Sequence, residues 1–157
     1  MRCKEYKTIE CSKCNLTPYC GTKCMKLDYE NHKNDCGKQL QIVQSNVDAY
    51  LTKHMGYNEF ELMNRTFNVL DERIDFCVKF MMLDREFVFS HENRLPYPLG
   101  FIKWNHMSKL HSRFTDTYIH CLTEKEQNKF WGRLHNVSNP KHQVNEDTYE
   151  IPICEEC

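Results

Sequence analysis

The sequence predicts a mostly α chain: a small metal-held finger followed by a helical region of about four helices. Three observations carry this expectation. Apolar residues between about 40 and 134 recur three and four apart, the spacing of a helix face rather than of a strand. Six of the ten cysteines fall within the first 36 residues. The chain has 157 residues, 40% apolar and 12% aromatic, which suffices for one modest core, while five Gly and five Pro exclude fibrous and low-complexity classes.

Charge narrows the class. Lys and Arg total 21 against 22 Asp and Glu, a net charge of -1, which disfavours a strongly basic nucleic-acid binder and an acidic tail protein alike. Residues 1–38 carry eight basic and five acidic side chains, a mildly positive segment in a mildly negative chain. The N-terminus, MRCKEYKTIEC, is charged and has no apolar stretch of the kind a secretory leader needs, and no run approaches 18 apolar residues. An intracellular location, cytoplasm or nucleus and not secreted, is therefore expected. In a reducing compartment, clustered thiols hold metal more readily than they form disulfides.

The first element is the cysteine-rich segment, expected over residues 1–37. It reads Cys3-x7-Cys11-x2-Cys14-x5-Cys20-x3-Cys24-x7-His32-x3-Cys36. Thiolate and imidazole are the ligands that zinc prefers, four to a structural site. A Cys-x2-Cys turn offers two sulfurs to one metal, and Cys-x3-Cys or His-x3-Cys places two ligands one helical turn apart on the same side. Seven such ligands exceed one zinc and fall one short of two. Two zinc ions are expected, the second with a ligand missing or supplied from elsewhere. The segment has too few apolar residues to fold unaided, so metal binding would supply its folding free energy, on the order of 10 kcal/mol.

The run Cys11-Ser12-Lys13-Cys14, Tyr19-Cys20-x3-Cys24 and Asp28-Tyr29-x2-His32-Lys33-x2-Cys36 resembles a MYND-type zinc finger in order, spacing and flanking residues. The resemblance implies a cross-braced arrangement of two zincs. Cys11, Cys14, His32 and Cys36 would share one metal, and Cys20 and Cys24 would share the other with Cys3. The partner of Cys3 in the family pattern falls before Met1, so the finger is expected either to be degenerate at its start or to have lost its start from the sequence as given. Two further departures stand where family members commonly have Gln and Trp: here these are Met25 and Tyr29. Those positions resemble ones that help form a groove for short proline-rich peptides.

The next elements follow from periodicity. Leu40, Val43, Val47 and Tyr50 form one stripe over residues 39–55, with Gly56 as a stop. Phe60, Met63, Phe67, Leu70, Ile74, Cys77 and Met81 predict a single helix over residues 58–83, with Asn58 as its N-cap and its stripe facing the core. Residues 86–90 (EFVFS) alternate like a short strand, and Pro96-Tyr97-Pro98 marks a turn. Residues 104–134 read as one or two helices. Met107, Leu110, Phe114, Tyr118 and Cys121 make the first stripe. Thr123 and Glu126 form a capping-box pattern ahead of Phe130, Trp131 and Leu134. Cys77 and Cys121 are expected in the core. The helical region is thus 38–134, and residues 135–157 form a polar loop or tail that ends in Cys154-x2-Cys157.

Chemistry beyond the metal is weakly signalled. His106, His111 and His120 lack the spacing of a metalloprotease helix, and the five glycines stand too far apart for a phosphate-binding loop. No catalytic residue is predicted, and the chain is not expected to be an enzyme. The function expected is a protein–protein interaction module with structural zinc and a protein or peptide partner. The competing class is a nucleic-acid-associated zinc protein, favoured by Lys4, Lys7, Lys13, Lys23, Lys26 and Lys33. A more distant alternative is a divergent SET-type lysine methyltransferase fragment. Asn105-His106 resembles one of that group's motifs, but the Gly-x-Gly of its cofactor loop is absent.

Overall fold

The computed structural model describes residues 9–14, 17–89, 94–95 and 99–152, which form six helices and one short ribbon. Strands Ile9–Glu10 (β1) and Pro18–Tyr19 (β2) pair antiparallel, with Ile9 opposite Tyr19 and Glu10 opposite Pro18. The Cys11 N–H donates to Thr17 O at 3.0 Å and carries the pairing to the mouth of the connecting loop. Helix α1 (Thr22–Asp35) follows, and none of its residues is fully buried. His32 and Lys33 occupy its last turn, where positive charge suits the carbonyl end of a helix.

Gly37 joins α1 to α2 (Lys38–Met55) at φ 91, a left-handed conformation that glycine adopts without strain. Helix α2 buries Val43, Val47, Tyr50, Leu51 and Met55 and ends at Gly56, also left-handed, whose N–H donates to Thr52 O. The stripe and stop expected over residues 39–55 are both present.

The single helix expected over 58–83 is divided in two. Asn58 does cap a helix, accepting from the Glu61 N–H at 2.8 Å, but that helix, α3, spans only Glu59–Met63. Residues 64–69 leave the helical path, and α4 runs from Leu70 to Phe89. The reason is a long-range contact. The Tyr118 hydroxyl donates to Leu62 O at 2.7 Å and accepts from the Arg65 N–H at 3.0 Å, satisfying backbone groups that a continuous helix would have paired internally. The stripe changes accordingly. Phe60 is 76% exposed and Leu62 is buried in its place. Ile74 and Cys77 are fully buried, while Phe67 and Leu70 are half-buried at the core edge. The core-facing reading of this stripe therefore holds for Ile74, Cys77 and Met81 on α4 and fails for Phe60, with Asp71, Glu72 and Asp75 exposed as expected.

Helix α4 also absorbs the expected strand at residues 86–89. Phe87 is buried and meets the Tyr50 ring at 4.8 Å, so the helix gains packing by continuing. The expected turn at Pro96-Tyr97-Pro98 lies outside the described residues. Helices α5 (Leu99–Tyr118) and α6 (Glu124–Ser138) complete the bundle, and the Thr123–Glu126 capping box opens α6 as predicted. Cys121 departs from expectation. It falls in the turn after α5, is exposed, and donates to Thr117 O at 3.1 Å beside the Arg73 guanidinium.

Helix α4 lies against α2, α5 and α6. Its Phe80 stacks on Phe114 with ring centres 3.9 Å apart, and Phe76 and Tyr118 close the same aromatic cluster. Residues 139–152 are non-helical but docked. Asn136 exchanges two hydrogen bonds with the Val144 backbone, and Arg133 bridges Glu146, Asp71 and Asp75. Gly132 is required here, since a Cβ would stand 2.9 Å from the Tyr149 Cβ and 3.1 Å from the Glu146 Cα. Among the described residues Lys103 is the one charged side chain in the core, 4% exposed.

Two outcomes are expected from this packing. Tyr118→Phe strands backbone groups at the α3–α4 break and should cost about 1–3 kcal/mol in urea unfolding. A loss within experimental error would show that the hydroxyl does not hold the break. The second concerns Glu59 on α3. Its carboxylate accepts from His106 Nε2 at 2.7 Å and pairs with Arg113. The His106 hydrogen bond, working against burial, holds the Glu59 carboxyl below its ordinary value of 4.5. A depressed carboxyl contributes stability that is complete above the unfolded value and lost as pH falls through the folded one. The stability gap between the wild type and Glu59→Gln should therefore be constant above about pH 5 and narrow below it. A gap that stays constant down to pH 3 would sink this account.

Candidate metal centre

The finger brings four predicted ligands together from two directions. Cys11 leaves β1 and Cys14 closes the turn after it, so both thiols hang from one loop. His32 and Cys36 sit four apart at the end of α1 and face the same side, with the Cys36 N–H bonded to His32 O. Their ligand atoms all lie within 4.8 Å of one another. Cys11 Sγ is 3.9 Å from Cys36 Sγ, and Cys14 Sγ is 3.5 Å from His32 Nε2. Ligand atoms around a tetrahedral zinc stand roughly 3.3–3.8 Å apart, given bonds of about 2.0–2.3 Å. Three thiols and an imidazole at these separations are positioned for metal binding.

The surroundings prepare the donors. Thr17 Oγ1 lies 3.4 Å from His32 Nδ1, so its hydroxyl fixes the ring and turns Nε2 toward the sulfurs. Tyr19 is buried with its ring edge-on to His32, and its hydroxyl donates to Asp28 at 2.9 Å. Burial and that carboxylate push the Tyr19 phenol up to about 12, so it stays neutral. Burial raises the Cys11 thiol, but the backbone N–H groups of Cys14 and Lys13, with His32, outweigh it and bring the group down to about 6. Cys36 goes the other way, to about 11, through burial and the two neighbouring cysteines.

Cys20 and Cys24 are not part of this cluster. They flank the first turn of α1 with their sulfurs 2.6 Å apart, close enough to serve one ion. Cys3, the third thiol expected there, lies outside the described residues, as do Cys154 and Cys157. A sequential arrangement, with Cys11, Cys14, Cys20 and Cys24 around one metal, does not match the observed grouping. Thr17 was not singled out by sequence reasoning. The signal available was a hydroxyl residue three positions beyond Cys14, at the return of the knuckle loop.

A groove of about 420 Å³ shares its wall with this centre. Met25 and Tyr29 line it together with His32, and Lys13, Lys26 and Lys33 stand around it. Lys13 lies over the Tyr29 ring at 5.9 Å, and Lys33 pairs with Glu30.

A two-stranded knuckle, one helix and a three-thiol, one-imidazole cluster define a small zinc finger. The family model for the MYND finger matches residues 1–36, so the N-terminal segment is a MYND-type finger, a structural rather than catalytic zinc-binding unit. The match stops short of α2, and the helical bundle lies beyond it. No curated protein and no solved structure matches the chain.

Thr17→Val removes the partner of His32 Nδ1 while keeping the side-chain shape. It should weaken zinc affinity by about 10–100-fold in competition with a chromophoric chelator. Affinity equal to wild type would mean that the ring is oriented by other contacts.

Proposed function

We propose that this protein is an intracellular interaction module in which zinc is structural and a peptide segment of a protein partner docks beside it. The observation that carries this reading is the groove, because its wall is built from the ligand-bearing elements themselves. Loss of the metal would therefore dismantle the docking surface. Met25 and Tyr29 supply an apolar floor, and lysines stand at the edge, which suits a peptide with apolar anchors. Mixed charge along α1, where Asp28, Glu30 and Asp35 alternate with Lys23, Lys26 and Lys33, favours protein over nucleic acid, which requires a continuous basic face.

Two zinc ions fit the donor set. Cys11, Cys14, His32 and Cys36 would hold one, and Cys20 and Cys24 would hold the other, with Cys3 as the third thiol that the sequence offers. Bound zinc would fix the crossing of the knuckle loop against α1, and the cluster residues would hold it without taking part in chemistry.

The test is a phage-displayed random peptide library selected on the zinc-loaded chain. Selected peptides should shift the backbone amides of Ser12, Lys13, Met25, Tyr29 and Lys33. Tyr29→Ala should weaken them about tenfold or more without loss of zinc. On the same protein, a chelator should remove zinc in two steps, and Cys20→Ser should abolish only the first. Peptides that bind equally well after complete zinc removal would overturn the docking proposal. Loss of two equivalents in one step would overturn the inequality of the sites.

A further inference from the structure

A second concave site lies in the helical bundle, outside the finger. A cleft of about 360 Å³ opens between α4 and α5. Its α5 lining residues are Gly100, Lys103, Trp104, Met107, Ser108 and His111, all on one face of the helix. Gly100 closes one end, where the Leu95 carbonyl oxygen comes within 2.5 Å of the place a Cβ would occupy. Phe87 and Met107 are buried walls, and Trp104 stands at the mouth with 53% of its surface exposed.

The polar groups in this cleft form a particular set. Lys103 is almost wholly buried and lies over the Phe87 ring, with Nζ 4.2 Å from its centre. Asp84, the one acid among the described lining residues, is engaged by His111 Nδ1 at 2.8 Å. Ser108 adds a hydroxyl, and Arg94 a second cation at the edge. A mostly apolar cavity with a few convergent polar groups is the usual form of a small-molecule site. Among the described lining residues, Lys103 and Arg94 are two cations beside a single carboxylate that His111 engages. An aliphatic residue at 103 would satisfy the packing of α5 without the desolvation that a buried ammonium suffers, and that desolvation pushes Lys103 down to about 8. The ammonium is still charged at neutral pH, and it carries three N–H donors, so a ligand oxygen can join the partners it has.

We propose that this cleft binds a small organic anion, with its carboxylate or phosphate on Lys103 and a planar apolar body between Phe87, Met107 and Trp104. Ser108 would donate to a second oxygen of the head group. The proposal is independent of the reading of the finger.

The test uses the full zinc-loaded chain and three probes of one shape: 2-naphthoate, 2-naphthyl phosphate and the neutral 2-naphthamide. Binding is followed by amide shifts in two-dimensional NMR. The two anions should shift the amides of residues 100–111 saturably, and the amide probe should bind about tenfold more weakly or worse. Whichever anion is tighter identifies the head group. Lys103→Met should remove the preference for the anions, and Lys103→Arg should retain it. If Lys103→Met loses its helical circular dichroism, Trp104→Ala takes its place and should weaken all three probes together. Equal affinity of the anionic and neutral probes, shifts confined to the finger, or unchanged selectivity in folded Lys103→Met would each overturn the proposal.

Discussion

The finger depends on the convergence of Cys11, Cys14, His32 and Cys36. Helix α1 buries none of its residues fully, so apolar packing alone does not fasten it to the knuckle. What joins the two is a set of soft donors at ligand spacing, tied by Thr17 to the ring and by Tyr19 and Asp28 across the helix. Such a unit has little reason to hold its shape without an ion, because four converging polar groups gain nothing from proximity until a cation joins them. The groove inherits this condition, since Tyr19, His32 and Cys36 are also its wall.

The bundle is held by different physics. Its centre is a run of rings, Phe76, Phe80, Phe114 and Tyr118, in contact across α4 and α5. Tyr118 does two things at once. Its ring belongs to that cluster, and its hydroxyl satisfies the backbone where α3 gives way to α4. A buried phenol is well suited to such a place, being apolar along its body and polar at one point. The periphery is closed by charge. Arg133 gathers three carboxylates from α4 and from the segment after α6, which keeps a polar stretch of chain against the bundle.

Local signals in the sequence were reliable where the structure itself is local. The Thr123–Glu126 box, the Gly56 stop and the stripe of α2 concern residues within a turn or two of each other, and all are present. The ligand residues were legible for the same reason, since paired spacing is a local constraint; their grouping, with Cys11 and Cys14 joined to His32 and Cys36 across the intervening Cys20 and Cys24, was implied only by the resemblance to the MYND finger. What escaped was decided at long range. The break at residues 64–69 follows from Tyr118, more than fifty positions away, and the three-and-four spacing of Phe60 to Met81 runs through it without a sign. Cys121 matched the stripe of α5 by count, but that helix ends at Tyr118, so the period no longer applied. Lys103 was invisible for a related reason. A lysine beside Ile102 reads as the polar edge of a helix, and only the neighbouring α4 turns that edge inward.

The connection between finger and bundle leaves no slack. Cys36 is the last ligand, Gly37 the only linker, and α2 begins at Lys38. Gly37 has open space where a Cβ would be, so its requirement is conformational rather than steric: its φ of 91 turns the chain from one helix into the next. A flexible tether would let the finger move independently. Here α1 touches α2, and buried residues of both parts belong to one apolar cluster that includes Cys11, Cys14 and Tyr19. The metal centre thus rests on the bundle on one side and opens into its groove on the other. A ligand-bearing loop supported in this way is already oriented before a partner arrives, which reduces the ordering cost that a freely hinged finger would carry into binding.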